Sequence, residues 1–84
     1  MSADQNGLAR LRSQARQART EGQFRQAARF ERQAVELAQA LGLASERVQA
    51  LLWEGYSLRQ AGAEDLALAA LRQGARERAT TADP

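Results

Sequence analysis

Apolar positions along the chain recur at spacings of three and four residues, and glycine interrupts them at regular intervals. Gly22, Gly42 and Gly62 stand 20 residues apart. Each follows a periodic segment, where a helix-ending glycine belongs, because it adopts the left-handed conformation that closes off the last carbonyls without a Cβ penalty. The glycines divide the chain into four predicted helices. The first, near Leu8 to Thr20, aligns Leu8, Leu11, Ala15 and Ala18 on one face. The second, near Phe24 to Leu41, aligns Ala27, Phe30, Ala34, Leu37 and Leu41, with Phe24 one turn ahead. The third, near Ser45 to Ala61, aligns Val48, Leu51, Gly55 and Leu58, with Ser45 as its N-cap and Glu46 in its first turn. The fourth, near Glu64 to Ala79, opens on two acidic residues suited to the helix dipole and buries Leu66, Ala67, Ala70 and Leu71. Met1 to Asn6 and Thr80 to Pro84 read as frayed ends.

Composition agrees with this pattern. The chain holds 19 Ala and 11 Leu but no Ile and only two Val, so propensity favours helix throughout and strand nowhere. The fold class is all-α, in one domain spanning residues 1–84. At this length only about 60% of the unfolded surface is buried, which leaves the domain marginal unless a partner surface supports it.

The two halves of the chain also match one another. An offset of 40 residues sets Leu11 on Leu51, Ala15 on Gly55, Ala18 on Leu58, Arg19 on Arg59, Gly22 on Gly62 and Ala27 on Ala67. Arg32 and Gln33 meet Arg72 and Gln73 in the same register. Matching glycines, small residues and helix phase point to two copies of one helical hairpin, at about residues 8–41 and 45–79.

These residues resemble the tetratricopeptide repeat. Gly22, Phe24, Ala27 and Ala34 fit the second half of its pattern, and Leu51, Gly55, Leu58, Gly62, Ala67 and Leu71 fit the other copy. Small residues are required there because the helices of a hairpin approach closely only where Ala or Gly sits at the crossing. The sequence departs from the family in several places. Glu31 stands where the family has a large apolar residue, Glu64 replaces the turn aromatic, Gly74 replaces the last Ala, and no closing Pro is present. The 40-residue period resembles longer bacterial repeats, in which a segment such as Ala40-Leu41-Gly42 joins the hairpins. The resemblance covers Leu8 to roughly Ala79 and implies two stacked antiparallel hairpins. A plain four-helix bundle is the alternative arrangement of the same helices.

The resemblance further implies that the first helix of each hairpin lines a concave groove for a peptide partner. The residues facing it would be Arg12, Arg16 and Arg19 on the first helix, and Gln49, Leu52, Trp53, Tyr56, Arg59 and Gln60 on the third. The single Trp and single Tyr thus share a face separate from the Val48, Leu51, Gly55 and Leu58 stripe. Guanidinium forks grip carboxylates and aromatic rings supply rigid contact area, so this face suits an acidic peptide or a C-terminal carboxylate. The competing reading is a solvated Arg face, with Leu52, Trp53 and Tyr56 packed on a second subunit or a loop. Leu68 and Ala75 lie away from the fourth helix's core stripe and are candidate contacts for a homo-oligomer, in the first instance a two-fold dimer.

With no Cys and no His, the chain lacks the usual metal ligands, the thiol nucleophile and the commonest general base, so neither a metal, a cofactor nor an enzymatic activity is expected. Glu54, Glu64 and Asp65 are the carboxylates an enzyme would have to use, and the last two are explained as first-turn residues. All twelve basic residues are Arg, which reads first as codon bias in a GC-rich genome. Residues 1–34 carry a formal +4 and residues 35–84 a formal −2. The basic half has no Lys, no recognisable nucleic-acid motif and no stacked aromatic, so nucleic acid is a weaker partner than protein. No leader-like or membrane-spanning run is present, and a cytoplasmic location is expected. The expected function is a non-catalytic, self-associating protein-interaction module, with a purely structural oligomerisation domain as the alternative.

Overall fold

The computed structural model describes residues 2–81, which form four helices: α1 (Ser2–Thr20), α2 (Phe24–Leu41), α3 (Ala44–Gln60) and α4 (Glu64–Thr81). Met1 and residues 82–84, anticipated as parts of frayed ends, lie outside the described residues. The three turns are copies of one structure. Gly22, Gly42 and Gly62 have φ of 76°, 72° and 88°, and in each turn the glycine N–H donates to the carbonyl three residues back while the next N–H donates to the carbonyl five back. That paired bonding is the Schellman motif, which closes a helix and launches the next at a set angle.

The turns deliver two helical hairpins, α1–α2 and α3–α4, stacked through α2 and α3. Packing runs between sequence neighbours, α1 on α2, α2 on α3 and α3 on α4. A four-helix bundle would instead bring α1 against α4. The Cα envelope of 34 × 28 × 16 Å is a slab about two helices thick. Close approach comes from small side chains: Ala15, Ala27, Ala34, Ala38 and Ala50 are fully buried, beside Val35 and Leu51.

Several sequence expectations shift. α1 begins at Ser2, ahead of the predicted start, because its early turns are anchored on α2: Leu8 is buried, and Gly7 passes close enough to Leu37 that a Cβ there would touch it at 3.6 Å. Ser45 does not cap α3. That helix begins at Ala44, and Leu43 occupies the cap position with no side-chain bond. On α2 the residue taken inside is Glu31 and not Phe30, which is half-buried. On α4 the buried seam runs through Ala67, Ala70 and Gly74, with Leu71 half-buried and Leu66 63% exposed. The α3–α4 crossing explains this rotation. A Cβ on Gly55 would stand 2.6 Å from both Cγ and Cδ2 of Leu71, and one on Gly74 would stand 2.8 Å from Leu52 Cδ2. The helices are too close for large residues along the seam, so it follows the small ones.

No helix among the described residues is long and apolar enough to cross a membrane.

Candidate functional site

The open face between α1 and α3 is built by helical spacing. Arg12, Arg16 and Arg19 share one side of α1 at intervals of four and three, and Glu46, Gln49 and Trp53 share one side of α3 at intervals of three and four. Stacking the hairpins turns these two stripes toward each other across a groove of about 800 Å³, with Leu8 and Leu43 in its wall.

The groove's electrostatics are organised around a carboxylate from α2. Glu31 is fully buried, and its Oε2 accepts a 2.7 Å hydrogen bond from Arg19 Nη1. Arg12 Nε lies 3.0 Å from Glu31 Oε1, an ion pair whose alignment falls short of a hydrogen bond. A second contact links Arg12 Nη1 to Glu46 Oε1 at 3.5 Å. Burial pushes the Glu31 carboxyl above the ordinary carboxylate range, and the hydrogen bond from Arg19 with the charges of Arg12 and Arg19 pulls it back only in part. Arg19 also stacks on an aromatic ring, with its guanidinium carbon 4.2 Å over the centre of Trp53. Trp53 in turn meets Tyr56 edge-on, with centroids 5.5 Å apart at 84°. Glu31, Arg19, Trp53 and Tyr56 therefore form one connected run from the interior to the surface.

The internal repeat accounts for this arrangement. At the 40-residue offset, Glu31 corresponds to Leu71 and Arg12 to Leu52. The second hairpin fills these two positions with leucines, and the first fills them with an ion pair. Replacing an apolar contact by a buried ion pair stabilises little by itself, since desolvation offsets the Coulombic gain. Its effect is to hold Arg12 and Arg19 in place along the groove wall, with side chains only 17% and 13% exposed.

Of the residues expected to face the groove, Arg12, Arg16, Arg19, Gln49 and Trp53 are brought together there. Leu52 is not. It turns away to pack on Gly74 of α4. Arg59 lies beside a separate recess with Glu64, Asp65 and Leu68. Tyr56 is 43% exposed and reaches the groove through Trp53. The anticipated Arg stripe is thus divided: Arg12 and Arg19 are engaged by Glu31, whereas Arg16 is exposed and has no ion-pair partner among the described residues. Sequence reasoning missed Glu31 and Glu46 as groove elements. A carboxylate at the counterpart of Leu71 was the available signal for the first.

The other buried carboxylate, Glu54, is held bidentately by Arg32 at 2.9 Å to each oxygen. Glu77 is held by Arg47 at 2.7 and 3.0 Å, which lowers its pKa from the ordinary value. These pairs join α2 to α3 and α3 to α4. No group of three potential metal-binding side chains occurs among the described residues. No known protein-family model, curated protein or solved structure matches this chain, so a reading of its function rests on the groove's own geometry.

Proposed function

We propose that this chain is a non-catalytic protein-interaction module whose α1–α3 groove holds an acidic segment of a partner protein. The observation that carries this reading is Arg16, a guanidinium without an ion-pair partner among the described residues, in the same groove as the Arg19–Trp53 stack. The groove presents three guanidiniums against the two carboxylates of Glu31 and Glu46, which leaves it net positive. Arg16 supplies a fork for an incoming carboxylate, and Trp53, 42% exposed, supplies a flat surface for the segment's apolar part. Because Arg12 and Arg19 are already held, little side-chain entropy remains to be lost when a ligand settles against them. The tetratricopeptide resemblance agrees with this use of the concave face.

Trp53 reports on its own site. Titration with an Asp- and Glu-rich peptide should change its fluorescence, the affinity should fall as salt is raised toward a Debye length of about 10 Å or less, and Arg16→Ala should weaken binding roughly tenfold. A titration indifferent to both salt and Arg16→Ala would reject the electrostatic role given to this groove.

A further inference from the structure

α2 and α4 carry equivalent stripes, of which only one is covered. On α2, Arg25, Ala28, Arg32, Val35 and Gln39 follow one another at intervals of three, four, three and four, which places them on a single helix face. That face receives α3: Val35 is fully buried and Ala28 nearly so, Arg32 clamps Glu54, and Gln39 accepts a hydrogen bond from Arg47. The 40-residue offset carries the stripe onto Asp65, Leu68, Arg72, Ala75 and Ala79 of α4. There all five are exposed, Leu68 by 47%. Neither Asp65 nor Arg72 has an ion-pair partner among the described residues. Seven residues of helix separate them by about 10 Å, too far for them to pair with each other.

One difference between the stripes decides what fits. The α2 stripe carries Arg25 and Arg32, so it needs an acidic helix, which α3 provides through Glu54. On α4 the counterpart of Arg25 is Asp65. The charge is reversed, and Leu68 lies between Asp65 and Arg72, three residues after one and four before the other. A stripe of that order is complementary to itself when turned antiparallel. We infer that α4 is a homodimer interface: two copies pair their α4 helices about a two-fold axis near Leu68, and Asp65 of each chain meets Arg72 of its partner copy.

Open head-to-tail stacking, with α1 of one copy on α4 of another, does not fit. The α1 counterparts of the buried Ala50, Glu54 and Ser57 are Arg10, Gln14 and Gln17, which are long, polar and exposed. They would set no carboxylate before Arg72 and would fill the close approach that Ala50 and Ser57 leave open. The two-fold arrangement uses one patch on both copies and closes on itself. A contact made by one helix face is smaller than the standard interface of about 800 Å² per partner, so the dimer should be a reversible, micromolar one.

The interface is separate from the α1–α3 groove, and the experiment leaves Arg16 and Trp53 untouched, so it can fail without affecting the groove reading. The association of the full chain is measured by sedimentation velocity across a concentration series, with helicity followed by circular dichroism. Wild type should dimerise, and Leu68→Glu should abolish the dimer by placing two carboxylates at the axis. Asp65→Arg and Arg72→Asp should each weaken self-association by roughly tenfold or more, through like charges at both symmetry-related contacts. An equimolar mixture of these two variants should recover the dimer, because each then meets an opposite charge on its partner. Recovery also demonstrates that both variants are folded. A wild-type chain that stays monomeric at high micromolar concentration overturns the inference. So does a dimer that tolerates Leu68→Glu, or a variant mixture no more associated than its components.

Discussion

Gly55→Ala places a methyl group in the close α3–α4 crossing. In an open helix interior this exchange would stabilise by about 1 kcal/mol, because alanine has the better helix propensity. Here the new Cβ would lie 2.6 Å from Cγ and Cδ2 of Leu71 and 3.2 Å from the carbonyl oxygen of Ala67. Rotating Leu71 about its outer bond cannot relieve a clash at Cγ, and the Ala67 oxygen belongs to the backbone. Either Leu71 must leave its rotamer or α3 and α4 must separate, and separation loosens the Leu52–Gly74 contact along the same seam. Overpacking of this kind costs about 3 kcal/mol at its upper end, so the net destabilisation should be about 2 kcal/mol. For a domain of this size that corresponds to a fall in Tm of roughly 8–16 °C, read by far-UV circular dichroism. Adding Leu71→Ala removes the clashing carbons and should make Gly55→Ala tolerable in that background. The counterpart Ala15 is itself fully buried, so Ala15→Gly should cost about 1 kcal/mol of helix propensity and roughly 0.8 kcal/mol more for the lost methyl burial. A Gly55→Ala protein that melts at or above wild type would show that the crossing has room, and the close-packing account of the α4 seam would fall with it.

Glu31 gives a pH test of known sign. An acid whose pKa is raised on folding contributes stability that is full below its ordinary value of 4.5 and is lost as pH rises through the folded value. Wild-type stability measured relative to Glu31→Gln should therefore decline as pH climbs from 4.5 toward neutrality, and a flat difference between their urea curves would contradict the burial-dominated shift. Ser57 is fully buried and its hydroxyl has no partner among the described residues. Ser57→Ala should thus raise stability by about 1 kcal/mol, and a loss in chemical denaturation would reveal a bond that the hydroxyl makes. Arg32→Ala strands the nearly buried Glu54 and should cost about 2 kcal/mol. Adding Glu54→Ala should recover part of that loss if the double-mutant cycle reports a true pair.

The local events of this fold are legible in the sequence, and the pairings between helices are not. Gly22, Gly42 and Gly62 announce the turns because a helix end is settled by hydrogen bonds within six residues. The Ala-rich, Ile-free composition leaves helix as the only regular structure between those turns. The 40-residue offset reveals two hairpins, since equal packing duties call for equal small residues, as Ala27 and Ala67 show. Exposure of Trp53, Leu68 and Ala75 also follows from their phase. Periodicity says which face of a helix is apolar, but not what lies opposite. It therefore favoured Phe30 over Glu31, because the carboxylate's place inside depends on two arginines contributed by another helix. It set Leu66 in the α4 core, because the close approach that rotates the seam onto Ala67, Ala70 and Gly74 exists only once α3 is docked. It grouped Leu52 with the groove, although Leu52 is claimed by the gap that Gly74 leaves. Arg12, Arg16 and Arg19 form one uniform stripe by spacing, and tertiary structure divides them into two held by Glu31 and one exposed, Arg16. A charged side chain answers to whatever counter-charge packing brings within a few ångströms, and residues 12 and 31 are brought together only when α1 folds back on α2.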